Sequence, residues 1–445
     1  MTDGFPMKTV RLGDWRRTHY SADIRPELDG KEVLVLGWVQ DIRDLGGIRF
    51  VILQDKNGTV QITIPRDEAN NRVLKKADSL QRQYSIGVKG AVRKMEKAPG
   101  GAEIVPTEIH ILGVAKQPLP LDITGRTPAE IDVRLDARVL DLRREENQAV
   151  FRIQHVTLEG IRSFLSKRGF IEVYTPRIIV SATEGGASLF PVAYFKQEAF
   201  LAQSPQLYKE QLILDFEKVF EIGPFFRAEE SHTRRHLSEF ISVDVEEAFA
   251  TADDVMRVLE ELIHQICKDV EKTCGRELKI LKHNIDVPKT PFKRFTYDRV
   301  IEELKEEGIR VPWGEDIPTS AFRTLGKLHA YYYFLTDWPT KSKAFYIKPR
   351  DDNPDLCEGF DLMWRWIELA SGGTRIHSKK LLIKRLTEQG LRPESFKSHL
   401  QAFDYGMPPH AGWAIGLARL VMALSGKRNI REVVLFPRDR FRLTP

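Results

Sequence analysis

The sequence of 445 residues predicts an α+β protein in which a small N-terminal β-barrel precedes a larger antiparallel sheet flanked by helices. Up to Leu112, five short β-rich runs are separated by turns, and one helical stretch precedes the fourth run. From about Asp141 onward, long helical patterns alternate with strand-like runs, some of which follow one another without a helix between them. We therefore predict an arm and barrel over residues 1–113, a linker over 114–140 and a second domain over 141–445.

The barrel prediction depends on five runs: VLVLGWV (33–39), IRFVILQD (48–55), TVQITI (59–64), IGVKGAV (86–92) and EIVPTEIHIL (103–112). Lys56-Asn57-Gly58 joins the second and third runs and predicts a hairpin, because Asn and Gly tolerate positive φ. The helical stretch lies at 67–80. This order is typical of an oligonucleotide-binding (OB) barrel. The alternative is a small barrel that serves only as a spacer.

The second domain shows apolar residues at helical spacing and several strand-like runs. Apolar residues recur at helical spacing from Val150 to Leu165, and Thr251 with Asp254 predicts a capping box at the start of another helix. The runs PFFRAEE, FISVDVEEAF and FDLMWRWIELA are strand-like. The prolines between 116 and 132 favour an extended linker ahead of this domain.

Composition excludes several classes of protein. Lys and Arg number 68 against 63 Asp and Glu, so the net charge of +5 neither requires nor excludes a nucleic-acid partner. No apolar run approaches the ~18 residues of a membrane helix, and the start lacks the apolar segment of a secretion signal. Three cysteines have no metal-ligand spacing. Together these features predict a cytoplasmic protein.

The chain has neither a P-loop nor a strand-linked G-x-G-x-x-G, so it does not bind ATP in either of those ways. In residues 220–249, Arg227 and Glu229 lie two apart in a predicted strand and therefore project to one face. An arginine can hold a phosphate while the carboxylate accepts from a purine amine. The alternative is an ordinary cross-strand ion pair.

Two further segments carry possible chemistry. In 364–377, Glu368 and Ser371 could share a hard cation such as Mg²⁺, and Arg375 could hold a carboxylate. The alternative there is a Gly-Gly turn with a solvated arginine. In 406–426, a Gly-rich approach leads to a predicted helix with Arg419 among apolar residues, although such an arginine can also extend to the surface.

Taken together, these segments resemble class II aminoacyl-tRNA synthetases. Residues 220–249 resemble motif 2, 412–424 resemble motif 3, and GFIEVYTPRII (169–179) resembles motif 1, which forms the dimer interface in that family. An OB domain ahead of the core is typical of the subgroup that charges aspartate, asparagine and lysine. Within it, SATEGGASLFPV (181–192), FLAQSPQLYKE (200–210) and GFDLMWRWIELASGGTR (359–375) resemble aspartyl-tRNA synthetases of the archaeal type.

The resemblance implies that aspartate and ATP form aspartyl-adenylate, and that the aspartyl group then passes to the 3′ end of tRNA. Arg227 would bridge the α-phosphate and the substrate carboxylate, and Arg419 would reach the γ-phosphate; these are the predicted catalytic residues. The predicted ATP-binding residues are Arg227, Glu229, Arg235, His236, Leu237, Phe240, Glu368, Gly416 and Arg419. His236 could instead be an ordinary surface residue.

The predicted cofactor is Mg²⁺, held by Glu368 and Ser371. The residues predicted to bind aspartate are Glu184, Gln206, Lys209, Arg227, Asp244, Ser371 and Arg375. Lys209 and Arg375 would surround the side-chain carboxylate while Asp244 orients them. Asparagine would then be rejected, because its amide would leave buried cations unpaired.

The OB domain of this family binds the anticodon. The resemblance implies that Phe50 stacks on the central uracil, that Gln61 bonds its edge and that Arg43 contacts the anticodon. Phe50 as barrel core and Arg43 as a solvated charge are the alternatives. Gln40 and Pro99 lie where the third anticodon base would be read, and neither imposes strict rejection of U. We therefore expect a homodimer that charges tRNA-Asp and, with relaxed specificity, tRNA-Asn.

One departure and two rival functions remain. The family has an acidic residue before the motif 3 arginine, where this chain has Ala418, so a carboxylate near ATP and Mg²⁺ is missing. One rival is an asparaginyl-tRNA synthetase or a tRNA-independent asparagine synthetase, although the latter should lack the OB domain. The other is a non-catalytic RNA-binding relative, which should have lost Arg227, Glu368 or Arg419.

Overall fold

A computed structural model describes residues 9–180, 189–228 and 235–445. The chain folds into two compact units, Met1–Glu145 and Glu146–Pro445. The limits predicted at residues 113 and 140 remain a prediction, since this division does not mark where a linker begins or ends. Among the described residues, no helix is both long and apolar enough to cross a membrane.

The first unit contains a closed five-stranded barrel with the strand order β1-β2-β3-β5-β4. Its strands are β1 (Glu32–Asp44), β2 (Ile48–Asp55), β3 (Gly58–Pro65), β4 (Ser85–Lys94) and β5 (Ala102–Gly113). Its helices are α1 (Asn71–Asp78), α2 (Ile131–Asp136) and α3 (Arg138–Asp141). β3 and β5 pair in parallel and the other neighbours are antiparallel. Alternate apolar side chains fill the barrel, because successive residues of a strand face opposite sides.

The second unit is built on an eight-stranded sheet and a small three-stranded sheet. In order across the large sheet, the strands are β12 (Lys293–Thr296), β13 (Tyr332–Pro339), β14 (Leu356–Trp364), β15 (Ile367–Thr374), β16 (His410–Gly416), β11 (Glu239–Ala248), β10 (Lys218–Phe226) and β6 (Ile171–Glu172). The small sheet has β7 (Ile178–Ile179), β9 (Gln197–Leu201) and β8 (Pro191–Tyr194). The large sheet is antiparallel except for the outer pairs β6–β10 and β12–β13, which are parallel.

Helices pack on the large sheet around two apolar cores. The helices are α4 (Glu145–Lys167), α5 (Gln206–Phe216), α6 (Ala252–Thr273), α7 (Gly275–Leu281), α8 (Tyr297–Glu306), α9 (Thr319–Leu328), α10 (Lys379–Glu388), α11 (Lys397–Ala402) and α12 (Leu417–Ser425). One core joins α4, α6 and α12 to residues such as Val243, Val245 and Trp413. The other lies around α5, α8 and α10. Asp244, which lies between Val243 and Val245 in the strand, therefore faces away from the first core.

Three local predictions are wrong. The run FDLMWRWIELA, interpreted as one strand, is a hairpin: β14 ends at Trp364, Arg365 has φ +54, and β15 begins at Ile367. Gly372-Gly373 is part of β15, so the predicted alternative of a Gly-Gly turn does not apply. β10 ends at Phe226, which leaves Arg227 just beyond the strand.

Candidate active site

Strand register aligns polar side chains across the centre of the large sheet. Asp361 pairs with Ser371, Ser371 with Ala414, Ala414 with Asp244, and Asp244 with Glu221. We call this line the polar row. It spans β14, β15, β16, β11 and β10, so residues as far apart in the sequence as Glu221 and Ala414 face the same side of the sheet.

The adjacent row is formed largely by glycine. Glu246 pairs with Gly412, Gly412 with Gly373, and Gly373 with Gly359. A Cβ atom at position 412 would lie 2.1 Å from Glu246 Oε2 and 2.2 Å from Val245 O. Glycine at 412 therefore leaves room for the Glu246 carboxylate on this face.

A buried group of two cations and two carboxylates lies where these rows meet α5. Lys209 Nζ is 3.2 Å from both Asp244 Oδ1 and Glu246 Oε2. Arg375 Nε donates to Glu246 Oε1 at 2.8 Å, and its Nη2 to Oε2 at 3.2 Å. All four residues are at most 4% exposed. Burial disfavours the charged guanidinium, yet Glu246 outweighs it and raises the pKa of Arg375.

The arrangement of these charges changes the expected reason for rejecting asparagine. The two cations already have carboxylate partners, so an asparagine amide would not leave them unpaired. Lys209 also donates to the carbonyl oxygens of Val245 and Trp413, at 3.2 and 3.3 Å, so four oxygen atoms surround its three donors. Arg375 uses two of its five N–H groups on Glu246. It is therefore the cation with donors to spare for a ligand.

Gln206 and Glu184 are two further residues predicted to bind the amino acid. Gln206 is the buried first residue of α5, and its Nε2 donates to Glu210 Oε1 at 2.5 Å. Glu184 lies outside the described residues. Within the buried group, Asp244 Oδ2 has no hydrogen-bond partner among the described residues, and it can accept from a ligand.

A cavity of about 170 Å³ collects the predicted nucleotide-binding residues from three separate segments. Those that line it are Arg227, Arg235, His236, Leu237, Phe240, Glu368, Gly416 and Arg419. Ser371, predicted to bind Mg²⁺ and aspartate, lines it as well. Ser371 and Ala414 belong both to this cavity and to the polar row. The cavity is therefore contiguous with the side of the sheet that carries the buried charges. Glu229, predicted to bind adenine, lies outside the described residues.

Arg227 and Phe240 form one wall of the cavity. The Arg227 backbone N–H donates to Ser238 O at 2.9 Å, so the arginine is held beside β11 although β10 has ended. Its guanidinium carbon lies 5.3 Å from the centre of the Phe240 ring. Phe240 in turn packs on a small apolar cluster that contains Phe225. A flat aromatic face beside a guanidinium suits a purine with its phosphate.

Two more arginines and a carboxylate also line the cavity. Arg419 Nη1 donates to Glu368 O at 3.0 Å and lies 3.4 Å from Glu368 Oε1. The Arg235 guanidinium lies 4.8 Å from the Trp366 ring centre. Burial and the nearby positive charge of Arg419 lower the pKa of Arg235, although Glu368 opposes this. An anion in the cavity would relieve that repulsion. Ala418 contributes only a methyl group to the cavity lining.

The oxygen donors near Glu368 fit a divalent cation bound together with phosphates. Asp361 faces Ser371 across the β14–β15 pair, and its Oδ1 is buried without a hydrogen-bond partner among the described residues. Its Oδ2 accepts from Lys343 Nζ at 2.6 Å. In the described part of the chain, no cluster of three or more His, Cys, Asp and Glu residues could hold a metal by itself. A Mg²⁺ ion here would thus need phosphate oxygens as ligands.

The barrel unit presents a second candidate surface. Arg43 pairs with Phe50, and Phe50 pairs with Thr63, so the three form a line across β1, β2 and β3. Phe50 is half-buried on the side opposite the core residue Val51, so it is not barrel core. Gln61 lies two positions along β3 from Thr63.

Hydrogen bonds orient the Gln61 amide on this surface. Its Nε2 donates to Glu103 Oε2 at 2.9 Å and to Thr63 Oγ1 at 3.3 Å. Its Oε1 atom is consequently the end available to a ligand. Gln40 is the bulged residue of β1, and Pro99 lies in the β4–β5 connection. The strand register does not bring these two residues into the line of Phe50.

Comparison with known proteins identifies the family. Residues 130–440 match the model described as tRNA synthetases class II (D, K and N), and residues 33–112 match the OB-fold nucleic acid binding domain. The chain belongs to this class II synthetase family. The predicted fold class, an OB-fold barrel followed by a class II catalytic domain, and the predicted enzyme class, an aminoacyl-tRNA synthetase, are therefore confirmed. Synthetases of this class act on ATP, an amino acid and tRNA, and generally use Mg²⁺ with ATP.

Individual relatives of this synthetase cover almost its whole length. An aspartate–tRNA(Asp/Asn) ligase of Archaeoglobus fulgidus is 51% identical over 427 residues, which is 96% of this chain and 99% of the relative. The crystal structure of Pyrococcus horikoshii asparaginyl-tRNA synthetase complexed with asparaginyl-adenylate has a TM-score of 0.92 at 32% identity, covering 97% of this chain and 100% of that one. An aspartyl-tRNA synthetase from Entamoeba histolytica has a TM-score of 0.88 at 32% identity, covering 99% and 96%.

Three residues of the site were given no role from the sequence. Glu246 lies two positions from Asp244 in a strand, and Glu210 lies four positions from Gln206 in a helix, so both could have been found from periodicity. Asp361 had no such signal, because only the β14–β15 register places it opposite Ser371.

Proposed function

We propose that the synthetase activates L-aspartate with ATP and transfers the aspartyl group to the 3′ end of tRNA-Asp and, with relaxed specificity, of tRNA-Asn. One observation carries this proposal. A cavity lined by Arg227, Arg235 and Arg419 shares Ser371 with the polar row, beside the buried Arg375. A nucleotide and a small dicarboxylic amino acid can therefore lie side by side.

In the first step, a substrate carboxylate oxygen attacks the α-phosphorus and pyrophosphate leaves. This reaction needs no protein nucleophile, because alignment and charge stabilisation lower its barrier. Arg227, which lines the cavity, would neutralise charge on the α-phosphate. Arg419 and Arg235 neutralise the departing phosphates. Phe240 supports the adenine ring.

Aspartate is selected by hydrogen-bond polarity around Arg375. Its remaining N–H donors match a carboxylate, whereas an asparagine amide would present its own N–H groups to them. Lys209 and Glu246 hold the guanidinium in place through a shared ion pair. Asp244 Oδ2 and Gln206 supply acceptors for the substrate ammonium group.

Glu368 and Ser371 are the residues that would hold Mg²⁺, with Asp361 as a further oxygen donor. The ion would supply positive charge to the ATP phosphates. Replacing Glu368 with Gln should raise the Mg²⁺ concentration that gives half-maximal ATP–pyrophosphate exchange. An unchanged magnesium dependence would remove Glu368 from this site.

The outer face of the barrel would bind the anticodon. Phe50 offers a face for stacking, and Gln61 Oε1 can accept from a base N–H, because the Gln61 amide nitrogen is engaged by Glu103. Arg43, which is exposed, can contact a phosphate or a base edge. Gln40 and Pro99 would lie near the third base. Gln40 can donate or accept and Pro99 has no N–H, which is compatible with either C or U.

We also propose a homodimer in the cytoplasm. The motif 1 segment exposes Ile171, Tyr174 and Ile178, and Val180 follows it directly. Tyr174 is 75% exposed and Val180 is 76% exposed. Such an exposed apolar strip is typical of an interface between subunits. The three cysteines are buried and free, as expected in a reducing compartment.

Amino-acid-dependent ATP–pyrophosphate exchange, followed by aminoacylation of purified transcripts, tests the proposal. We expect exchange with aspartate and not with asparagine or lysine, and aspartylation of both tRNA-Asp and tRNA-Asn. Exchange driven by asparagine would instead establish an asparaginyl enzyme, the alternative favoured by the fold similarity to the Pyrococcus horikoshii structure. Inactivity on tRNA-Asn alone would refute relaxed specificity while leaving aspartate activation intact.

A further inference from the structure

A buried carboxylate that belongs to neither the cation pair nor the metal site lies behind Gln206. Glu210 is completely buried on α5, and its Oε1 accepts from Gln206 Nε2. Its Oε2 faces two histidines, with His399 Nε2 at 3.3 Å and His410 Nε2 at 3.7 Å. His399 comes from α11 and His410 from β16, and both are at most 1% exposed.

Hydrogen-bond polarity determines where protons must lie in this cluster. His399 Nδ1 is 3.2 Å from Leu207 O, and His410 Nδ1 is 2.8 Å from Pro408 O. A carbonyl oxygen only accepts, so each Nδ1 must carry a proton. If both rings were neutral, two unprotonated Nε2 atoms would face a buried carboxylate, which is repulsive. At least one ring is therefore an imidazolium that balances Glu210.

The ionised carboxylate also fixes the orientation of Gln206. A glutamine amide has one donor end and one acceptor end, and the two can exchange by a rotation of the side chain. A carboxylate without a proton can only accept, so it holds the Nε2 end. The Oε1 end must then point away from Glu210, which makes Gln206 an acceptor.

We propose that Glu210 is a positioning residue for the amino-acid substrate: together with His399 and His410 it holds Gln206 so that Oε1 accepts from the substrate ammonium group. This inference rests on the proposed function, since it assumes that Gln206 faces that ammonium. It adds a reason for selecting an α-amino acid, because a ligand without the ammonium would gain nothing from Gln206.

Several titratable groups lie in or beside this cluster and set its response to pH. They are Lys209 on α5, Glu246 on β11, Arg375 and His377 after β15, His399 on α11 and His410 on β16. Burial raises the pKa of Glu210, but the two histidines outweigh it and the net pKa is lowered. Burial lowers the pKa of His410, but Glu210 and Glu246 outweigh it and the net pKa is raised. The charged cluster is thus complete below the ordinary histidine pKa of 6.5 and is lost as pH rises through the higher pKa of His410.

The variant Glu210→Gln tests the proposal, with Glu303→Gln as a matched control. Glu303 is also a largely buried glutamate paired with a histidine, at 2.8 Å from His329 Nε2, but it lies on α8, outside the residues assigned to the site. In Glu210→Gln the replacement amide can donate as well as accept, so Gln206 is no longer held. We expect KM for aspartate in ATP–pyrophosphate exchange to rise about 10-fold or more, with kcat changed much less. Glu303→Gln should leave both constants unchanged.

Succinate separates orientation of Gln206 from general damage to the pocket. It keeps both carboxylates of aspartate but lacks the ammonium. As a competitive inhibitor it should have the same Ki in the wild type and in Glu210→Gln. A Ki for succinate that rises in parallel with KM for aspartate would overturn the proposal, because the whole pocket would then be affected. An unchanged KM for aspartate would overturn it as well.

The pH dependence provides a test that does not require the variant to fold. In the wild type and in Glu303→Gln, KM for aspartate should rise with pH through the pKa of His410, and the Ki of succinate should not. A flat KM in the wild type would contradict the proposal. If the wild type shows no aspartate-dependent ATP–pyrophosphate exchange at all, the proposed function fails instead. That result is distinct from a flat KM for aspartate and from a parallel rise in the Ki of succinate.

Discussion

Gly412 provides the most direct test of how the buried charges are packed. An added Cβ would lie 2.1 Å from Glu246 Oε2 and 2.2 Å from Val245 O, whereas ordinary contacts begin at 3.4 Å. Val245 O is a backbone atom of the neighbouring strand, so it cannot move without disturbing the β11–β16 pair. In Gly412→Ala, the Glu246 carboxylate must therefore leave its place beside Lys209 and Arg375.

The expected cost follows from those contacts. Overpacking of a well-filled site costs about 1–3 kcal/mol, and breaking a buried ion pair costs about 3–5 kcal/mol. Because these effects overlap, we expect a loss of about 3–5 kcal/mol in the free energy of unfolding. For a unit of this size, that corresponds to a fall of roughly 10 °C in Tm.

Thermal unfolding of the Gly412→Ala variant should be compared with that of Gly275→Ala. Gly275 begins α7, has no atom within 4 Å of an added Cβ and does not require positive φ. Alanine there should stabilise by about 0.4–1 kcal/mol, through the lower entropy of the unfolded chain. If the Tm of Gly412→Ala lies within about 2 °C of the wild type, the Glu246 carboxylate does not occupy the space beside Gly412.

Four further predictions concern the cavity, the barrel face, the exposed motif 1 segment and the buried Glu303. Arg227→Ala should lower kcat of ATP–pyrophosphate exchange by about 10²–10³-fold while leaving Tm unchanged, and a normal kcat would refute its role at the α-phosphate. Phe50→Ala should raise KM for tRNA by roughly 5- to 100-fold without affecting exchange, as loss of one stacked base requires; equal loss of exchange would indicate a folding defect. Tyr174→Asp should convert dimer to monomer in light scattering, and an unchanged mass would exclude this face. The pKa of Glu303 is lowered, since its bonds to His329 and Arg299 outweigh burial; the Tm advantage of wild type over Glu303→Gln should therefore be present above pH 4.5 and decline as pH falls below it.

Local patterns in the sequence predicted the barrel strands and singled out Arg227, Arg375 and Arg419, whereas Lys209 and Arg235 were implied only by the family resemblance. β1 nevertheless extends to Asp44, five residues beyond the predicted run, because residues 40–44 (QDIRD) are mostly polar and lack the apolar alternation of a strand. The β14–β15 hairpin was missed for another reason. Its turn contains Arg365 at φ +54, in a run of apolar residues without Gly, Pro or Asn, so no local signal marks it.

The electrostatic balance of the site depends on long-range pairing that a sequence does not show. Lys209 and Arg375 were expected as a pair of cations with one orienting carboxylate, Asp244. In the folded chain, Glu246 bridges both cations, so an asparagine amide would not leave them unpaired. Ala418 departs from the family pattern, and nothing in the structure explains that substitution.

Lys209 also has a consequence for protein engineering. Its ammonium joins α5 to oxygen atoms of β11 and β16, two neighbouring interior strands of the large sheet. Lys209 therefore belongs both to the proposed amino-acid pocket and to the contacts that hold α5 on the sheet. Attempts to redesign specificity by replacing Lys209 should yield insoluble protein before they yield a new substrate, and compensating mutations in β11 or β16 would have to come first.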